Sequence, residues 1–467
     1  MNKKWLNKNV LILGLGSYPQ GSGSSALRYL HACGAKLIVS DIKSSKDLNP
    51  QLKRLKSLKG IRYIFGTHDL PLKGIDLIIK NPGVRVDHPL LRQAEKLNIP
   101  VETDISLFMR EVENPIIGIT GTRGKSTTTT LIHQLMRQKY PSAQMGGNIK
   151  VSPLTFIKKL SGKAGKRRVP VILELSSWQA NIFKSIKRSP QVAVVTNIMI
   201  DHLNMYPSFG AYVADKRLIY KYQNSGDIVV LNKDNDRTFA MSRDAKSQVY
   251  FFSVKPLAVK ERGAYVNSKG DIIFQDGLIR TKVLKSAELK LPGVHNLYNV
   301  LAAVTVAMTQ GVSLTRIQSV LRKFKGIDSR LEMIREFKGI KFFNDTTATT
   351  PDATIAAIKS FDRAPILICG GTDKKLIFND LADLINKKVK RLVLLPGTAT
   401  EQLKKKLAIK RLKPVEVTSM REAIQSALKL AVKGDIILLS PGAASFGLFK
   451  NEFDRGEQFN KIVKNLK

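Results

Sequence analysis

Residues 116–130 read Ile-Ile-Gly-Ile-Thr-Gly-Thr-Arg-Gly-Lys-Ser-Thr-Thr-Thr-Thr, and they combine the groups needed to hold a nucleoside triphosphate. An apolar run, Ile116 to Ile119, reads as a buried strand. A glycine-punctuated turn follows. After Lys125-Ser126 the apolar residues Leu131, Ile132, Leu135 and Met136 recur at helical spacing. Strand, turn and helix in that order aim backbone N–H groups and a helix N-terminus at one point, which suits an anion. Gly121 and Gly124 let the backbone approach phosphate, Lys125 suits the outer phosphates, and the Ser126 hydroxyl suits Mg²⁺. Ile119 stands where the first glycine of G-x-x-x-x-G-K-[ST] belongs, so the motif is a shortened phosphate loop.

Further acidic and polar residues fall at expected strand ends. The apolar run Val169–Leu173 ends at Glu174, followed by Leu175-Ser-Ser177-Trp178-Gln179, and Gln191–Asn197 ends near Asp201-His202. Parallel sheets place ligands at the carboxyl ends of their strands, and a carboxylate there can hold Mg²⁺ beside phosphates. Near the N-terminus, Val10–Leu13 reads as a first strand, rather than as part of a signal peptide, and it runs into Gly14-x-Gly16. The next glycines are Gly21 and Gly23, so the dinucleotide pattern G-x-G-x-x-G is missed. Asp41, ending a second strand at Lys36–Ser40, suits a ribose or base; spacing alone leaves a turn or cap aspartate equally open.

Positioning these groups requires alternating strands and helices, and the chain supplies them three times. The first unit has strands at Val10–Leu13, Lys36–Ser40 and Ile75–Ile79, with a helix at Ser24–Cys33. The second begins with the strand before the phosphate loop. Between Gly226 and Leu289 it turns to short strands such as Ile228–Leu231, Val249–Phe252 and Asp271–Phe274, before a helix at Val294–Met308. The third opens near Gly326. It has strands at Lys341–Phe343, Pro365–Cys369, Arg391–Leu395 and Asp435–Leu439, and a helix begun by Thr350-Pro351. The expected fold class is α/β with three domains. Residues 1–112 form a Rossmann-like domain, 113–326 a central phosphate-loop domain with a parallel sheet and a small β-rich part, and 327–467 a second Rossmann-like domain.

A length of 467 residues and 43% hydrophobic content suit such a chain. No apolar run approaches the ~20 residues that span a bilayer. Cys33 and Cys369 lie far apart in apolar surroundings and read as buried free thiols, not a disulfide or metal site. Together these features suggest the cytoplasm. The formal charge of +40 is dispersed in short Lys and Arg clusters such as Lys166-Arg167-Arg168, without interleaved aromatics. That suits solvated faces better than a nucleic-acid platform, although salt-sensitive, non-specific binding to polyanions is expected.

The motifs occur in a specific order: Gly121-Thr-Arg-Gly-Lys-Ser126, Gly146-Gly-Asn148-Ile, Leu173-Glu-Leu-Ser-Ser-Trp-Gln179, and Asn197 through Asp201-His202. Next come Tyr212-x-x-x-Lys216, His295-Asn-x-x-Asn299, Arg330-Leu-Glu332 and Asn344-Asp345-x-x-Ala348-Thr349. Gly370-Gly-x-x-Lys374, Ser440-Pro-x-x-Ala-Ser445 and Arg455-Gly456 complete the series. At these separations they resemble the Mur ligase family, ATP-dependent amide-forming enzymes that build the peptidoglycan stem peptide. The likeness runs nearly end to end. Within the family the chain is most similar to the branch that adds D-glutamate to UDP-N-acetylmuramoyl-L-alanine.

The resemblance implies a role for each matching position. Gly14, Gly16, Asp41, Lys43, Asn81 and Gly83 would bind the UDP end of the substrate, and Asn148, Ser177 and Gln179 its muramoyl-peptide end. Gly121, Thr122, Arg123, Gly124, Lys125, Ser126 and Thr127 would hold ATP, with Asn296 and Asn299 on the adenine or hinge side and Arg330 and Asp345 closing over it. Ser126 and Glu174 would hold Mg²⁺ near the γ-phosphate. His202 would serve a second metal site, and Lys216 would carry a carbamate that makes it a carboxylate-like ligand. Lys125, Glu174, His202 and Lys216 are thus the catalytic set. Thr349, Lys374 and Ser445 would take glutamate. A monomer is expected, with no specific nucleic-acid partner.

Four departures from the family pattern stand out. Arg123 replaces a usual asparagine, and Trp178 a usual phenylalanine. Thr346-Thr347 replaces a frequent serine-lysine pair, and Glu452-Phe453 alters a position near the amino-acid site. The last two leave open whether D- or L-glutamate is added. Another Mur-type or folylpolyglutamate synthase-like ligase, and a basic nucleotide-binding protein without ligase activity, are the competing readings.

Overall fold

The computed structural model describes residues 3–467 apart from 17, 86, 161–168, 201–205, 374–375 and 408–411. By packing, the chain divides into two compact units, Met1–Ser286 with Tyr298–Val320 and Ala287–Leu297 with Leu321–Lys467. The first unit holds two sheets and the second holds one.

The first sheet consists of β1 (Asn9–Leu13), β2 (Lys36–Asp41), β3 (Ile61–Phe65), β4 (Leu77–Lys80) and β5 (Val101–Glu102). All pairings are parallel and the order is β3-β2-β1-β4-β5. The chain reverses its direction across the sheet at β1, which opens a crevice beyond the carboxyl ends of β1 and β4.

The second sheet runs through β6 (Ile116–Thr120), β7 (Gln144–Gly147), β8 (Val171–Glu174), β9 (Val192–Val195) and β10 (Ile228–Asn232). It continues with β11 (Gln248–Ser253), β12 (Gly263–Val266), β13 (Asp271–Asp276) and β14 (Ile279–Lys285). Its order is β14-β13-β12-β11-β10-β9-β6-β8-β7. Pairings are parallel from β7 to β12 and antiparallel from there to β14. Every residue of β6, β8 and β9 is buried, because both faces of a parallel sheet are covered, and this explains their unbroken apolar runs. One apolar cluster continues from the first sheet into the second; at this seam the Phe108 and Phe156 rings meet edge to face at 5.9 Å.

The third sheet has β15 (Glu332–Phe337), β16 (Ile340–Asn344), β17 (Ile366–Gly370), β18 (Arg391–Leu395), β19 (Val415–Glu416) and β20 (Ile436–Leu439). Its order is β15-β16-β20-β17-β18-β19, with β15 an antiparallel edge strand.

The expected strands are present with small shifts. The strand expected from Val169 begins at Val171, because Pro170 has no N–H to give and the ladder starts with Val171 N donating to Pro115 O at 2.8 Å. Ile228–Leu231, expected as part of a β-rich elaboration, lies in a parallel strand between β9 and β11. Local pattern does not single out β3, β5, β7, β12, β14, β15 and β19. Two of these have only two residues, and Gln-Met-Gly-Gly of β7 carries no strand pattern. Both cysteines are buried and free.

Candidate active site

The phosphate loop joins β6 to the helix Lys125–Arg137. Gly124 caps that helix in the left-handed conformation (φ 83°), and a Cβ there would run into the Asn299 side-chain oxygen. A Cβ at Gly121 would strike the Thr196 hydroxyl. Both positions therefore demand glycine on two counts, conformation and space. The loop is held from β9: Arg123 N donates to Asn197 Oδ1 at 2.9 Å, and Asn197 Nδ2 and Thr196 Oγ1 donate to Arg123 O at 3.1 and 2.6 Å. Thr122 N donates to Asn197 O, and the Thr122 hydroxyl lies 2.9 Å from the Tyr212 hydroxyl. Asn299 joins through its Oδ1, which accepts from Thr128 Oγ1 at 3.2 Å.

Two lysines reach this loop. Lys125 Nζ folds back to donate to Gly121 O at 3.0 Å and Thr122 O at 3.1 Å. Lys216, 2% exposed in the helix Phe209–Lys221, donates to Gly121 O at 2.9 Å and lies 4.8 Å from the Tyr212 ring centre. So buried a lysine is not the ordinary surface residue that most of the 77 Lys and Arg residues would be.

Glu174 ends β8, in register with Ile119 of β6. It is 2% exposed, and its Oε1 accepts from Asn148 Nδ2 at 2.9 Å. Oε2 is buried without a hydrogen-bond partner among the described residues. A carboxylate oxygen so placed is costly unless something positive meets it. A hard cation with oxygen ligands fits this orphaned acceptor. Ser177 and Gln179 lie in the next turn. Gln179 Oε1 is used locally, accepting from Ser176 N at 3.0 Å in a capping box.

In the first sheet, the Asp41 carboxylate closes the glycine turn. Its Oδ2 accepts from Leu15 N at 2.8 Å and Gly16 N at 3.2 Å, and its Oδ1 from Lys43 N at 2.9 Å. Gly14 and Gly16 take positive φ, and Asn81 packs over both. Asn81 Oδ1 accepts from Gly83 N at 3.0 Å. The UDP-side positions named from sequence thus converge on one crevice, and Asp41 acts there as a turn-closing carboxylate.

In the third sheet, Asp345 follows β16 and is buried, accepting from Leu331 N at 3.2 Å and Ser440 Oγ at 2.8 Å. Burial pushes its carboxyl up to about 7, against the pull of those hydrogen bonds and of Arg330. Thr349 and Ser445 sit on loops after neighbouring strands, β16 and β20, which are tied together where Gly442 N donates to Ala348 O at 2.8 Å. Arg455 stitches the same loops: Nε and Nη2 donate to Thr346 Oγ1 and O at 3.0 and 2.8 Å, and Nη1 to Ala443 O at 3.3 Å.

Residues 119–307 match the Mur ligase middle domain, 329–442 the Mur ligase glutamate ligase domain, and 8–103 the Mur ligase MurD-like N-terminal domain. Over 465 residues the chain is 38% identical to the UDP-N-acetylmuramoylalanine–D-glutamate ligase of Borreliella afzelii, covering 98% of each chain. The chain belongs to the Mur ligase family. Ligases of the same name from Roseiflexus sp. and Acetivibrio thermocellus are 36% and 37% identical to this Mur ligase, with at least 98% of both chains covered. Its fold is shared with the UDP-N-acetylmuramate-alanine ligase MurC of Thermotoga maritima (TM-score 0.60, 21% identity, 98% of this chain and 100% of that one). MurF from Acinetobacter baumannii is comparable, with a TM-score of 0.59 at 17% identity, covering 97% and 93%.

Within this Mur ligase, the phosphate loop, Asn299 and Lys216 form one hydrogen-bonded cluster. Asn148 and Glu174 form a second group in the same sheet. Asn296, three residues before Asn299 in the helix Val294–Thr309, turns its side chain to Pro292 O at 2.8 Å. Asp201, His202, Lys374 and the Lys166–Arg168 cluster lie outside the described residues. Thr346 and Thr347, flagged as departures, turn toward scaffold: Thr346 holds Arg455, and Thr347 Oγ1 donates to Ser329 O at 2.9 Å. Arg455 itself is 0% exposed, a burial that its place in the Arg455-Gly456 motif does not announce. Among the described residues, a cleft of about 1030 Å³ runs beside the helix Ser22–Ala32, lined by Ser25, Tyr29 and Leu154 among others; no phosphate-loop residue lines it.

Proposed function

We propose that this chain joins D-glutamate to UDP-N-acetylmuramoyl-L-alanine with consumption of ATP, acting in the cytoplasm in peptidoglycan precursor synthesis. The observation that carries the reading is the buried Glu174 carboxylate, one oxygen held by Asn148 and the other unmatched, at the end of the strand beside the phosphate loop. The near full-length likeness to three ligases of that name supports the choice of substrates.

The chemistry follows from charge. A carboxylate is a poor acyl donor. Transfer of the γ-phosphoryl group of ATP to the substrate carboxylate makes an acyl phosphate and leaves ADP. Glutamate's neutral amine then attacks the acyl carbon, and the tetrahedral intermediate expels phosphate. Lys125 and the N–H groups at the start of the helix Lys125–Arg137 stabilise the charge that gathers on the transferring group. Glu174 and Ser126 would hold Mg²⁺, which when bound offsets phosphate charge. His202 and a carbamylated Lys216 belong to the same reading as a second metal site. Asn148, Ser177 and Gln179 take the muramoyl-peptide end, and the crevice of the first sheet takes UDP. The resemblance assigns Asn296 and Asn299 to the adenine or hinge side, and Arg330 and Asp345 to the ATP set. Thr349, Lys374 and Ser445 bind glutamate, so that residues 1–112, 113–326 and 327–467 each hold one reactant.

The test is phosphate release with UDP-N-acetylmuramoyl-L-alanine, ATP and each glutamate enantiomer in turn. Release with D-glutamate alone is the expected result. Release with the L enantiomer alone overturns the substrate assignment, and none with either overturns the reading.

A further inference from the structure

The first sheet buries a cation at the end of β4. Lys80 is the last residue of β4, in register with Leu13 of β1, and is 8% exposed. Alternation puts it on the same face as Ile78, whose apolar cluster includes Leu11, Leu13, Leu90 and Leu91. Its Nζ donates to Asn81 O at 3.3 Å, the single acceptor among the described residues for a group with three protons to give. No carboxylate pairs with it there, and burial pulls its ammonium down to about 8.

The position explains why a cation is needed. Lys80 ends β4 at the crevice where the strand order reverses, beside the turn Gly14–Gly16. In a nucleotide-binding turn of this kind, the backbone N–H groups ordinarily face the phosphates. Here Leu15 N and Gly16 N are already bonded to the Asp41 carboxylate. That carboxylate would also repel an arriving anion. The countercharge for a diphosphate must therefore come from elsewhere in the crevice. Lys43, the basic residue named from sequence, is exposed; Arg85 is engaged with Asp87 at 2.9 Å. Lys80 is buried, under-satisfied and at the strand end.

We propose that the Lys80 ammonium binds the diphosphate of the sugar nucleotide, a contact that rests on the reading of the first sheet as the UDP-binding part.

The test uses Lys80→Met, which keeps the apolar stem, and Lys80→Arg, which keeps the charge. In Lys80→Met the KM for UDP-N-acetylmuramoyl-L-alanine and the competitive Ki of UDP are expected to rise together, roughly 10- to 100-fold, as for a lost charged hydrogen bond. The kcat should stay within about threefold, and KM for ATP and glutamate should not move, since the lost contact is the same in ground and transition states. Lys80→Arg should recover part of the loss. An unchanged Ki for UDP overturns the proposal, as does a loss of thermal stability with all three KM values rising, the mark of a merely structural lysine. If the wild-type protein turns over no UDP-sugar peptide, the functional reading has failed; calorimetric titration of wild type and Lys80→Met with UDP still decides whether Lys80 binds a diphosphate.

Discussion

Lys125 and Lys216 donate to the same carbonyl oxygen, Gly121 O, at 3.0 and 2.9 Å. Two side chains that are ordinarily cations thus approach one atom at the phosphate loop. Like charges so close repel, and an anion that meets either one, or a change of charge on one, relieves the repulsion. A triphosphate would meet Lys125, and a carbamate on Lys216 would turn the second cation into an anion. The two lysines therefore call for opposite tests.

Lys125→Ala should lower phosphate release by roughly 10²–10³-fold, the usual effect of losing one preorganised group aimed at developing charge. Binding of the UDP substrate should be largely intact, because the first sheet is untouched. Steady-state kinetics with calorimetry checks both. Unchanged turnover would remove Lys125 from the chemistry.

Lys216→Ala should be nearly inactive and partly restored by short-chain carboxylic acids, which can occupy the space and supply the missing oxygen ligands. Carbon-13 bicarbonate should also label the wild-type protein with a carbamate resonance that the variant lacks. Full activity of the variant without added acid would mean an unmodified structural lysine.

Gly124→Ala should destabilise the protein by roughly 1–3 kcal/mol, because a left-handed residue acquires a Cβ that also meets Asn299. In Gly124→Ala/Asn299→Ala the collision is relieved while the backbone strain stays. The double variant should regain part of the loss, as denaturant unfolding would show. Strict additivity of the two changes would mean that the residues do not touch.

Asp345 couples stability to pH. Its folded-state carboxyl, near 7, lies above the ordinary 3.8, so the folded protein keeps a proton that the unfolded chain gives up. Stability from this group is fully present below 3.8 and is lost as pH rises through about 7. Asp345→Asn stays neutral throughout. Its stability relative to wild type should therefore improve between about pH 4 and about pH 7. Urea melts across that range check the sign; a constant difference would contradict it.

Arg455→Met should raise the KM for glutamate more than that for ATP or the UDP substrate, because the lost bonds tie residue 346 to residue 443 between the loops carrying Thr349 and Ser445. Stability should fall by roughly 2–4 kcal/mol, since several buried carbonyl and hydroxyl groups lose a charged donor. Equal changes in all three KM values would make the arginine a general scaffold residue.

Much of the architecture was legible from local pattern. Buried parallel strands announce themselves as Ile, Val and Leu runs, and glycine with lysine after such a run marks a phosphate loop without any knowledge of the rest of the chain. Short strands such as β5 and β19 escaped, because two residues carry no periodicity and exist only through their neighbours' ladders. Lys80 escaped as well. A lysine ending an apolar strand reads as the exposed start of a loop, and only the packed sheet shows it buried.

The sequence by itself determined the α/β units, the order of their motifs and the glycine positions of the phosphate loop, because these depend on spacing along the chain. Tertiary structure alone decided how residues far apart in that order meet. It brought Lys216 onto Gly121, Asn299 onto Gly124 and Asn148 onto Glu174, used the Asp41 carboxylate to close its own turn, and turned Arg455 inward between two loops. The reason is physical: a side chain's type is set residue by residue, but its burial, hydrogen-bond partners and charge follow from what the fold packs against it.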